Sequence, residues 1–153
     1  MALAATPAPG TPSGFTVDEY FGLVQTGVLE PDDHVELLEG VVVTMAPSDP
    51  PHASGVWRVQ DWLVRMLGER AMVRSQLSFL AGTRSVPEPD VLVVPVDPRQ
   101  YAHEHPRVAL LAVEVAVSSL RQDVLTKAII YAGANVPQYV VIDLRHERLH
   151  VFD

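Results

Sequence analysis

One acidic residue lies inside the longest strand-like apolar run of the chain, Val108–Val117, and limits the folds open to it. The run is about half the ~20 residues that a bilayer-spanning helix needs, so it predicts a strand buried on both faces. Its one charged residue is Glu114. A buried carboxylate is costly unless a cation or a hydrogen-bond donor compensates it, so the sequence requires a partner for Glu114.

The length indicates one domain. The chain has 153 residues, of which 48% are apolar, and we expect a disordered leader over 1–13 followed by a single domain over 14–153. The chain has no cysteine, which excludes disulfides and thiolate metal sites. The leader has neither the basic nor the apolar segment of a secretory signal, so we expect a cytoplasmic protein without a membrane span.

The order of periodic segments predicts an α/β domain with a mixed, mostly antiparallel sheet flanked by helices. Thr16 and Glu19 form a predicted capping box, and Glu39-Gly40 a predicted hairpin turn. The predicted elements are a helix from Thr16 to about Gly27, a hairpin over Val35–Met45, a helix over His52–Leu67, strands over Met72–Leu80, Val91–Val96 and Val108–Val117, a helix from Ser118-Ser119 to Gly133, and a last hairpin around Arg145-His146.

Acidic residues are concentrated in the first part of the chain. Residues 1–57 contain eight acidic side chains and no Lys or Arg, and the formal net charge of the whole chain is −8. We therefore expect any DNA binding to be weak, metal-dependent and sensitive to salt.

Three residues are candidates for a catalytic metal site. Asp90 opens a strand, Glu114 lies within the next one, and Lys127 is the only lysine beside ten arginines. Two carboxylates from neighbouring strands suit Mg²⁺ or Mn²⁺, and Lys, unlike Arg, can exchange a proton. In the alternative, Asp90 caps a turn after Pro89, Glu114 pairs with a buried Arg, and Lys127 forms a surface ion pair with Asp123.

Several segments together resemble the Uma2 family of proposed endonucleases, within the PD-(D/E)XK nuclease superfamily. The resemblance runs from about Phe15 to the last residue. The matching segments are ELLEG at 36–40, a histidine at 52 that opens a helix, PEPD at 87–90, HP at 105–106, EVAVSSL at 114–120, and D...K...YA.A.VP.YVVIDL from Asp123 to Leu144.

The resemblance implies a restriction-endonuclease-like fold and a magnesium-dependent endodeoxyribonuclease. Asp90 and Glu114 would bind the metal together with the backbone carbonyl of Val115. Lys127 would match the family's lysine, and Glu36, which matches its N-terminal glutamate, would be a secondary candidate for the same catalytic site.

The chain departs from the pattern at two positions near Glu114. Ala116 stands where the superfamily signature has Lys, and Val117 where many relatives have an acid or Ser. The alternative function is therefore a catalytically degenerate nuclease fold that acts as a binding module or dimeric scaffold. The uncovered final strand predicts either a chain that continues past Asp153 or a homodimer.

Overall fold

The computed structural model describes residues 14–153, so the predicted leader over 1–13 lies outside the described residues. A five-stranded sheet and a separate two-stranded hairpin organise the fold. The helices are α1 (Val17–Gln25), α2 (Pro50–Leu67) and α3 (Ala128–Gly133), with a π-helix over Gln122–Lys127 directly before α3. The strands are β1 (Val35–Leu38), β2 (Val41–Thr44), β3 (Met72–Arg74), β4 (Val91–Val94), β5 (Leu111–Ala116), β6 (Tyr139–Asp143) and β7 (Arg148–Phe152).

The main sheet has the order β3-β4-β5-β6-β7, in which only β5 and β6 run parallel. A parallel pair needs a crossover connection, and the π-helix with α3 provides it. The prediction of a mixed, mostly antiparallel α/β fold is confirmed. The order also places β5, the strand that carries Glu114, at the centre of the sheet.

The alternation of side chains along β5 separates two cores. Val113 and Val115 face α2 and pack with Val56 and Leu63. Ala112 and Ala116 face the opposite side, in the cluster that includes Tyr131 of α3. Glu114 falls on this second side, so the sheet directs its carboxylate away from α2 and toward the π-helix and α3.

A third hydrophobic cluster, separate from the two cores of the main sheet, attaches the hairpin and α1 to the domain. Leu37 exchanges backbone hydrogen bonds with Val86, on the segment that leads into β4. The predicted capping box of Thr16 and Glu19 is present at the start of α1. The hairpin turns at Glu39-Gly40, where both residues have positive φ (51° and 86°), as a two-residue type I′ turn requires.

Two of the predicted elements differ in the structure. The strand predicted over Met72–Leu80 is wrong beyond Arg74, because Gln76 takes a left-handed φ of 53° and the following residues bond the segment before β4 instead. The helix predicted from Ser118 to Gly133 is not uniform, because the π-helix interrupts it.

Smaller differences concern the ends of elements. Helix α2 begins at Pro50, where the Asp49 side chain accepts the His52 N–H as an N-cap. Strand β4 ends at Val94, and β5 covers only Leu111–Ala116 of the predicted run.

Helix α2 contacts mainly β3, β4 and β5, so it covers little of the α2 side of β6 and β7. Leu149 and Val151 on β7 are 65% and 54% exposed, and Trp57 and Trp62 on α2 are 63% and 59% exposed. We call these four residues the apolar edge. Strand β7 pairs only with β6 among the described residues, so its outer edge is open.

No helix in residues 14–153 is long and apolar enough to cross a membrane.

Candidate active site

Five buried ionisable side chains meet on the α3 side of the sheet, and we call them the charged cluster. Each is at most 9% exposed. They come from four places in the fold: β1, the residue before β4, β5 and the π-helix. The members of the charged cluster are Glu36, Asp90, Glu114, Asp123 and Lys127.

Asp90 and Glu114 are joined directly. The register of β4 with β5 brings Asp90 opposite Glu114, and the Asp90 backbone N–H donates to Glu114 Oε2 over 3.2 Å. The Val115 N–H donates to Asp90 Oδ2 over 2.8 Å. Because the N–H and C=O of one strand residue point toward the same neighbouring strand, the Val115 carbonyl lies on the β4 edge of β5, as its N–H does.

A histidine fixes Asp90 from the helix side. His52 Nε2 lies 3.1 Å from Asp90 Oδ2, and His52 Nδ1 lies 2.8 Å from Ser48 Oγ. Burial acts to raise the pKa of Asp90, but the bonds from His52 and the Val115 N–H outweigh it and the pKa is lowered. The lowered pKa keeps Asp90 ionised at neutral pH, and both of these bonds fall on its Oδ2.

Lys127 is the partner that Glu114 requires. Its Nζ lies 2.9 Å from Glu114 Oε1 and 3.1 Å from Glu36 Oε1. Burial acts to lower the pKa of Lys127, but the charges of Glu114 and Glu36 raise it above its ordinary value. Lys127 therefore stays protonated at neutral pH, and the sequence argument that it exchanges a proton near neutrality does not fit this environment.

Glu114 remains short of positive charge in spite of Lys127. Tyr131 donates its hydroxyl to Glu114 Oε1 over 3.0 Å, from a fully buried position. Burial raises the pKa of Glu114 well above its ordinary value, and Lys127 opposes this only in part. A second cation would find a favourable place beside this carboxylate.

Glu36 lies in the charged cluster, but both of its carboxylate oxygens already have partners within the protein. One oxygen contacts Lys127, and the other accepts the backbone N–H of Glu88 over 3.1 Å. Glu36 therefore connects the hairpin to the PEPD segment and contacts Lys127 together with Glu114.

Asp123 is the member of the cluster that sequence reasoning did not select as a functional residue. It was considered only as the surface partner of Lys127, yet it is 2% exposed and its carboxylate is 3.9 Å from Lys127 Nζ. Ser119 donates its hydroxyl to Asp123 over 2.5 Å. The four-residue spacing to Lys127 was the available signal, and the π-helix turns both residues inward.

The surface ion-pair alternative for Lys127 is wrong, because Lys127 is 5% exposed and contacts three carboxylates. Glu114 forms an ion pair with Lys127, where the alternative placed a buried arginine.

The donor set suits a hard divalent cation. No group of three or more His, Asp or Glu side chains in residues 14–153 is arranged to hold a metal by itself. Magnesium needs fewer, since it is commonly bound by one or two carboxylates and keeps several waters. The carboxylates of Asp90 and Glu114 fit that requirement.

Comparison with known proteins identifies the class. The model of the Uma2 family, described as "Putative restriction endonuclease", matches residues 17–153, so the chain belongs to this family. The solved structures with this fold include a protein from Anabaena variabilis ATCC 29413, described as a putative nuclease belonging to DUF820. It is 17% identical, with a TM-score of 0.70, over 91% of this chain and 84% of that one. No curated protein matches the sequence.

Proposed function

We propose that this protein is a metal-dependent endonuclease that hydrolyses DNA phosphodiester bonds. The observation that carries the proposal is the buried pair of Asp90 and Glu114, which lies beside a single protonated lysine. Four carboxylates share one ammonium in the charged cluster, so a divalent cation would relieve the excess negative charge. The family to which the chain belongs is consistent with this chemistry.

Asp90, Glu114 and the Val115 carbonyl would hold Mg²⁺ or Mn²⁺. When bound there, the metal supplies Lewis-acid polarisation of the scissile phosphate and lowers the pKa of the attacking water. His52 keeps the Asp90 carboxylate in one orientation through Oδ2. Lys127 provides a fixed charged donor that orients the water or stabilises developing charge, rather than a base.

Binding of DNA is expected to depend on that metal. The chain has a net charge of −8, and its first 57 residues contribute only acid, so metal-free binding should be weak and should fall steeply with salt. Tight metal-free binding at physiological salt would contradict this view.

The test is nicking of supercoiled plasmid with Mg²⁺ or Mn²⁺ by wild type, Asp90→Ala and Lys127→Arg. We expect Asp90→Ala to be inactive and Lys127→Arg to be slower by about 10²-fold, the effect typical of misplacing one charged donor. Asp90→Ala also reveals any contaminating nuclease.

An inactive wild type with every divalent metal would overturn the proposal and favour the alternative, a degenerate nuclease fold used for binding or as a dimeric scaffold. Val117 beside the site and the open edge of β7 are the observations that favour this alternative.

A further inference from the structure

The contacts of Lys127 indicate a second role besides that of a catalytic donor. Its ammonium contacts both Glu114 and Glu36, while the Asp123 carboxylate lies slightly farther away. Resting on the function proposed above, we propose that Lys127 is a built-in counter-cation that competes with the divalent metal for Glu114 and so sets the metal affinity of the site.

The competition follows from the shared ligand. Glu114 is bonded through Oε1 to Lys127 and Tyr131 and through Oε2 to the Asp90 N–H. A divalent cation at Asp90 and Glu114 would lie close to the Lys127 ammonium, and two cations in a buried site repel each other strongly. Part of the metal's binding free energy is therefore lost to this repulsion.

The other two carboxylates around Lys127 are themselves anchored, so they would keep Lys127 in place when Glu114 binds metal. Glu36 is fixed by the Glu88 backbone N–H, and Asp123 is fixed by the Ser119 hydroxyl. Lys127 thus retains two carboxylate neighbours without Glu114. The site can change between a state in which Lys127 neutralises Glu114 and a state in which the metal does.

The experiment measures metal affinity rather than cleavage. Mn²⁺ and Mg²⁺ are titrated by calorimetry into the full chain as wild type, Lys127→Gln, Lys127→Met and Lys127→Arg. Gln removes the charge and retains a hydrogen-bond donor, which preserves the test if Met prevents folding. Arg retains the charge and is the matched control, and Asp90→Asn shows whether binding occurs at this site.

We expect Lys127→Gln and Lys127→Met to bind Mn²⁺ about tenfold more tightly than wild type, because a buried like charge is removed. Lys127→Arg should remain within about twofold of wild type, because the charge is unchanged. The metal-induced rise in melting temperature should be larger for Lys127→Gln than for wild type, since tighter binding stabilises the fold further.

The outcomes separate this inference from the proposed function. If wild type binds metal and the neutral variants bind it equally or more weakly, the counter-cation role is overturned and the endonuclease proposal stands. If only the neutral variants bind, the inference is supported and metal-dependent cleavage by wild type is rejected. If none of them binds, both are overturned.

Discussion

The two faces of the main sheet depart from the usual distribution of residues in opposite ways. On the α3 face, the charged cluster buries four carboxylates and one ammonium. On the α2 face, the apolar edge leaves two tryptophans and two aliphatic residues of β7 in contact with solvent. Globular proteins usually bury apolar groups and expose charges, so both regions require a reason other than stability.

The free-energy costs of the charged cluster and the apolar edge indicate a different reason for each. Taking charges out of water costs free energy that pairing recovers only in part, and strongly shifted pKa values are typical of functional sites. The exposed tryptophans and β7 residues cost little folding free energy, but large exposed apolar side chains beside an open strand edge are typical of binding surfaces. The charged cluster is therefore expected to be intolerant of change, whereas the apolar edge should affect association only.

The largest expected effect tests that contrast directly. Lys127→Met leaves four buried carboxylates without their ammonium, so we expect the free energy of unfolding in EDTA to fall by about 3–5 kcal/mol. Trp62→Gln at the apolar edge should change it by less than about 0.5 kcal/mol. Urea denaturation of both variants and wild type measures this, and equal stability of Lys127→Met and wild type would show that the cluster is not held by charge pairing.

A smaller effect is expected from Tyr131, a neutral donor that contacts the charged cluster. Tyr131→Phe removes the hydroxyl that donates to Glu114, and loss of a buried hydrogen bond to a charged group should cost about 2 kcal/mol. Tyr20→Phe is the matched control, because its hydroxyl donates over 3.3 Å to the neutral carbonyl of Val35. Equal losses in the two variants by chemical denaturation would contradict a special demand for donors at Glu114.

These contrasts also show what the sequence could predict. The capping box of α1, the turn at Glu39-Gly40 and the amphipathic helix α2 were predicted because local rules determine them. The anomaly of Glu114 was visible for the same reason, since a single charge in an apolar run needs no tertiary information to be noticed.

The rest depends on tertiary contacts. Gln76 is not a glycine, yet it takes a positive φ that ends β3 after three residues. The π-helix cannot be read from a 3.6-residue period, and Asp123 and Lys127 both lie buried within it. The bond of Glu36 to Glu88 joins residues 52 positions apart, and no local pattern reports it.

The apolar edge gives a third prediction, the homodimer that the sequence also predicts. Antiparallel pairing of β7 about a twofold axis would place Leu149 opposite Val151 of a second copy, on the α2 side of a continuous sheet. We expect light scattering to give twice the chain mass of 16.7 kDa for wild type.

The variant Val151→Lys should return to the monomer mass with a free energy of unfolding within about 0.5 kcal/mol of the wild-type monomer. Val28→Lys, at a residue that is 66% exposed outside the sheet, is the matched control and should not change the mass. A monomeric wild type would remove the association role of this edge.

The smallest effect concerns His52, which borders the charged cluster. The hydrogen bond to Asp90 raises the pKa of His52 above its ordinary value, so the folded state favours the protonated ring. This stabilisation is fully present below the unfolded pKa of about 6.5 and is lost as pH rises through the higher folded value. The difference in melting temperature between wild type and His52→Gln, measured in EDTA from pH 5 to 9, should therefore be largest at low pH.

The same comparison in an Asp90→Asn background is the control. It should lose most of this pH dependence, because the partner that favours the charged ring is gone. A difference that grows with pH would mean that His52 acts on Asp90 as a neutral ring, and that its positioning of Asp90 does not depend on charge.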